Sequence, residues 1–116
     1  MAVTEPEILM GRRAFPTAQQ LLAGVPLRRL PALVEVGWYG TETHSETGAF
    51  AVVRSGWGLD DLLGEVLKVT VGRRSVFVYV IGARGVPTDI ALARRAFFEV
   101  GRLSHETLPA VVEVVE

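Results

Sequence analysis

The sequence predicts a mainly β domain, closed as a barrel or sandwich, with one amphipathic helix packed on it and an extended N-terminal arm. Three observations carry this expectation. The first is a hairpin within residues 64–85, where Leu67, Val69 and Val71 alternate with Val66, Lys68 and Thr70 before the turn Gly72-Arg73-Arg74-Ser75. That is the period-two pattern of a strand with one buried and one wetter face. The second is the returning strand, residues 76–81, which is β-branched or aromatic throughout. Both of its faces must then meet apolar neighbours, as they do in a closed barrel or sandwich. The third is helical spacing of Ile90, Ala93, Phe97 and Val100, with Arg94, Arg95, Glu99 and Arg102 mostly on the other side.

The elements follow in chain order. Residues 1–31 form the arm and residues 32–116 the barrel domain. Prolines at 6, 16, 26 and 31 and arginine pairs at 12–13 and 28–29 give the arm an extended, poorly self-pairing path without a strand pattern. Within it, residues 17–23 suit a short helix, with Thr17 as N-cap and Gly24 as stop. Ile8, Leu9, Met10, Phe15, Leu21 and Leu22 make the arm too apolar for a solvated tail. It lies either on its own barrel or on a neighbouring subunit. Residues 32–38 are the first strand, followed by a polar, glycine-containing loop at 39–48 and a short strand at 49–54. Ser55-Gly56-Trp57-Gly58 is a turn, residues 59–63 a single helical turn, and a glycine-punctuated loop follows the hairpin from Gly82. Thr88 caps the helix and Asp89 sits in its first turn, where a carboxylate suits the positive end of the dipole. Gly101 ends the helix, Pro109 bars its continuation, and residues 110–115 form the closing strand.

A chain of 116 residues makes one domain, and its formal net charge of −1 gives no basic excess of the kind that draws a protein to nucleic acid. With no cysteine, disulfides and thiolate chemistry are excluded. The first residues lack a secretory signal and no apolar run reaches membrane-spanning length. The expectation is therefore a protein made in a host cytoplasm, without a membrane or nucleic-acid partner and without a cofactor, that leaves only within a larger assembly or on lysis.

From Val36 onward the chain resembles the rare lipoprotein A family and its relatives, the expansin and barwin-like domains. Gly37-Trp38-Tyr39-Gly40 looks like that family's small residue followed by Trp-Tyr-Gly, and Thr47-Gly48-Ala49-Phe50 like its threonine-and-glycine loop. Residues 64–70, Gly-Glu-Val-Leu-Lys-Val-Thr, resemble its glycine-led strand. Arg84-Gly85 sits where the family has Asp-Arg-Gly, residues 89–97 resemble its aspartate-led helix, and Leu103-Ser104 with residues 109–115 its closing segment. The resemblance implies a six-stranded double-psi β-barrel. It also implies peptidoglycan glycan strands as ligands and, in active members, lytic transglycosylase cleavage by the aspartate of that motif. Here the position is Ala83, which can neither donate nor accept a proton, and the family's histidine has no counterpart between Val52 and Gly64. By the resemblance the barrel is a scaffold whose catalytic residue is gone.

Other constellations have competing readings. Trp38, Tyr39 and Trp57, with Arg84 and Asp89, form a candidate glycan-binding set, aromatic faces suiting sugar rings and Arg84 an anionic group; core packing and an Arg84–Asp89 pair are the alternatives. Glu42, His44 and Glu46 would share one face of an extended segment, yet no second histidine stands close by and a solvated loop explains them, so no metal site is expected. Asp60-Asp61 suits a helix start, and His105-Glu106 a solvated turn. Two functions remain open: a non-catalytic structural protein, such as a phage tail or head component that associates with copies of itself or other virion subunits through the arm, or a peptidoglycan-binding or transglycosylase-like module.

Overall fold

A computed structural model describes residues 24, 26–39, 49–102 and 107–116. Their strands are β1 (Leu27–Arg29), β2 (Val34–Tyr39), β3 (Phe50–Arg54), β4 (Val66–Val71), β5 (Arg74–Arg84), β6 (Ile90–Ala93) and β7 (Leu108–Val115). Strands β2 to β7 close on themselves in the order β7-β2-β6-β3-β5-β4, with β4 returning to β7, and β1 adds a seventh strand at the edge of β7. Two parallel pairs, β2 with β6 and β3 with β5, are joined by the antiparallel contact of β3 with β6. Consecutive strands β2 and β3 are therefore not neighbours, and a later strand lies between them. Among the described residues the domain is a mainly β, six-stranded closed barrel with one extra strand and one short α-helix.

Alternation divides each strand between two apolar layers. Val36, Ala51, Val53, Leu67, Val69, Val78, Val80, Ile90, Leu92, Val112 and Val114 fill the barrel interior. Phe50, Val66, Tyr79, Ala93 and Val115 pack on its outside, with Leu27, Tyr39, Phe77 and Ile81 against them. Residues 76–81 do meet apolar neighbours on both faces, as their composition requires. The hairpin turn is tighter than expected: Val71 pairs with Arg74, leaving Gly72 and Arg73 as the loop. Gly72 has φ +60° and Arg73 is not in the left-handed region, the pattern of a II′ turn that matches strand twist.

Three expectations are corrected. Strand β5 does not stop at a glycine loop but runs through Gly82 and Ala83 to Arg84. Its register on β3 skips Ile81, since Ala51 pairs with Val80 and Val52 with Gly82. Gly82 follows a bulge, and the extra residue reverses the alternation so that Ala83 packs against the interior. Residues 90–93 are a strand rather than the first turn of a helix, buried at every position between β2 and β3. The helix α1 is only Arg94–Phe97, and Ala93, not Thr88, precedes it. Phe97 nevertheless has no exposed surface and joins Ala96 and Val100 in the interior cluster, so the helical turn plugs the barrel. Finally, the proline-rich arm does contribute a strand: β1 pairs antiparallel with β7, Leu27 opposite Val115 and Arg29 opposite Glu113. The proposed helix at 17–23, arm residues 1–16 and 25, and the loop at 40–48 lie outside the described residues.

Candidate binding groove

Strands β1 and β2 lie end to end along one side of β7. Arg29 faces Glu113 and Val34 faces Ala110, so five steps on one side (34 minus 29) span three on the other (113 minus 110). The surplus residues loop out. Leu30 is still tied down, its N–H donating to the Val112 carbonyl at 2.9 Å, whereas Pro31 has no donor to offer. This looped segment, residues 30–34, forms one wall of a groove of about 350 Å3. The facing wall is the turn at 55–58 and the short 3-10 helix Asp60–Leu62, with Trp57, Leu59 and Asp61 lining it. Gly56 and Gly58, at φ +80° and +82°, allow the tight course that swings Trp57 outward.

Trp57 is 61% exposed, and Leu33 on the opposite wall 64%. The Arg54 guanidinium covers the Trp57 ring at 3.9 Å from its centroid, a cation–π contact that braces the indole. Asp89 lies at the groove edge, where its Oδ2 accepts the Glu35 N–H at 2.9 Å. That bond continues the β2–β6 ladder by side chain, one residue before β6 begins. Its own carbonyl accepts from the Arg54 N–H at 2.8 Å, and the Arg84 carbonyl accepts from the Ser55 N–H at 2.9 Å. Thr88, buried beside it, donates its hydroxyl to the Ile90 carbonyl at 2.8 Å.

The structure brings part of the candidate glycan set together. Trp57, Arg84 and Asp89 gather around the end of β3, and Trp57 and Asp89 line the same groove. Trp38 and Tyr39 stand elsewhere: Trp38 is level with Leu92 and hence with Ala51, towards the start of β3. Trp38 packs against the interior cluster, with Arg94 5.5 Å from its ring centroid, while Tyr39 turns to the outer one. A three-ring platform is therefore not assembled. Asp60-Asp61 opens the short 3-10 helix, as a carboxylate pair at a helix start should. Arm residues Ile8, Leu9, Met10, Phe15, Leu21 and Leu22, the Glu42, His44 and Glu46 loop, and His105 lie outside the described residues. Among the described residues no cluster of His, Asp and Glu could hold a metal ion. The sequence signals missed were Arg54, three residues before Trp57 across a glycine turn, and Leu30 and Leu33 flanking Pro31.

Strand order, closure and the two parallel pairs define a six-stranded closed barrel of the double-psi type. No family model matches the chain, and no curated protein matches it in sequence. Among solved structures it is similar to the Streptomyces papain inhibitor, with a TM-score of 0.61 and 15% identity over 80% of this chain and 100% of that one. At that identity the likeness is one of fold.

Proposed function

We propose that this protein is a non-catalytic assembly subunit built on a barrel related to rare lipoprotein A, most at home in a phage virion tail or head. The supporting observation is the character of the surface around the end of β3. Where the family resemblance places a catalytic acid, Ala83 turns a methyl group against the barrel interior. What remains there is contact surface, two large apolar side chains, Trp57 and Leu33, held out into solvent on facing walls of one groove. Exposed apolar residues that converge on a concave site suit protein contact better than bond cleavage. The first measurement is the mass of the full chain in solution by analytical ultracentrifugation over a range of concentrations. Concentration-dependent association supports the reading, and a monomer throughout would overturn it.

A second reading, a peptidoglycan glycan-strand module, draws on the single observation that one indole, Trp57, is exposed and braced by Arg54. Co-sedimentation with purified peptidoglycan tests it. Binding lost in Trp57→Ala would favour this reading over assembly.

A further inference from the structure

We propose that the groove between residues 30–34 and 57–62 is the receptor for residues 8–13 of a second copy's arm, Ile-Leu-Met-Gly-Arg-Arg; this rests on the assembly reading and names its site. Chemical complementarity carries the proposal. The groove presents Leu30, Leu33 and Trp57 as apolar wall and Asp61 and Asp89 as carboxylates at its edges. The arm segment sets three apolar side chains beside two arginines, and no acidic residue interrupts it from Ile8 to Phe15. Arginine suits a carboxylate rim because its planar fork can bond both oxygens at once. An apolar triplet entering first and a basic pair following match a groove that is apolar on its walls and acidic at its edges.

Chain direction favours a second copy as donor. The chain enters β1 at Pro26, whose carbonyl accepts from the Glu116 N–H. That end of β1 lies four residues back from Leu30, where the groove begins beyond the other end. Continuing β1 backwards leads away from the chain's own groove, and occupying it would require the arm to reverse and run back past the strand. A neighbour's groove requires no such reversal.

The test uses the full-length chain, with a photo-reactive benzophenone side chain at position 10 and an equal mixture of ordinary and 15N-labelled protein. Expected are cross-links from position 10 to residues 30–33 or 57–62, including products that join one labelled and one unlabelled chain. Leu33→Asp, at an exposed position, should weaken association at least about tenfold without changing the melting temperature. Asp61→Arg should weaken it as well, and adding Arg12→Glu to that variant should restore it. Cross-links confined to chains of one isotope would show that the arm fills its own groove and would overturn the proposal. Cross-links to another surface in a chain that still associates would sink the groove while leaving assembly intact. A monomer without cross-links would remove both.

Discussion

Phe97 shows how much one side chain can decide. It projects from a helix of a single turn, yet has no exposed surface and packs with Ala96 and Val100 into the barrel interior. Phe97→Ala should therefore cost about 3–5 kcal/mol in urea unfolding, because a barrel wall cannot collapse into the cavity as a loose loop would. A loss under about 1 kcal/mol would mean that the turn is peripheral. Gly101 is the counterpart: a methyl group there would overlap Leu108 Cδ1 and crowd the Phe97 ring. Gly101→Ala is expected to destabilise by no more than about 1 kcal/mol, because the Leu108 methyl sits at the end of a half-buried side chain that can turn aside, and no backbone strain is involved. The same scale governs the chemistry. With a methyl at position 83, incubation with purified peptidoglycan should release no anhydro-sugar products, checked by mass spectrometry of the digest. Products abolished by Asp89→Asn would instead assign the catalytic carboxylate to Asp89.

Strand β6 is the element whose identity sequence pattern conceals. Ile90-Ala91-Leu92-Ala93 runs straight into Arg-Arg-Ala-Phe, and alanine and leucine are strong helix formers whose spacing satisfies a helical period. Burial on both faces between β2 and β3 overrides that preference, and such a strand reads as a short continuous apolar run, which periodicity alone cannot separate from a buried helix. The hairpin was legible because its two strands are adjacent in sequence and its pattern is local. The β3–β5 bulge, the parallel partners and the short β1 were not, because each depends on a strand distant along the chain. The groove escaped for the same reason: its walls come from segments about 25 residues apart that meet only after the barrel closes. Thr88 is a check on the revised assignment. As the hydroxyl that holds the Ile90 carbonyl inside the structure, its replacement in Thr88→Ala should cost about 1–3 kcal/mol. As an exposed helix cap it would cost less, and amides at 91–93 would not share the slow hydrogen exchange of the barrel strands.

At the scale of the molecule, the arm and the barrel make separable predictions. Removal of residues 1–23 leaves β1 and Leu30 in place, so the melting temperature should hold while association is lost. Removal through residue 30 also takes away β1 and uncovers the Val115 and Val112 contacts, so it should lower the melting temperature as well. Circular dichroism melting beside sedimentation separates the two, and association retained by the shorter deletion would dismiss the arm. The late position of β7 has a further consequence for how the protein is made. This strand pairs with β1, β2 and β4 and is what turns an open sheet into a barrel. During translation, β1, β2 and β4 must each wait with a ladder unfilled until β7 is made, and β2 waits for β6 as well, 54 positions later at the Val36–Ile90 pair. Chain closure over such separations is slow and leaves apolar edges open meanwhile. Closure of the barrel is thus expected only once β7 is available, with an arrested nascent chain lacking β7 remaining protease-sensitive and inclined to aggregate.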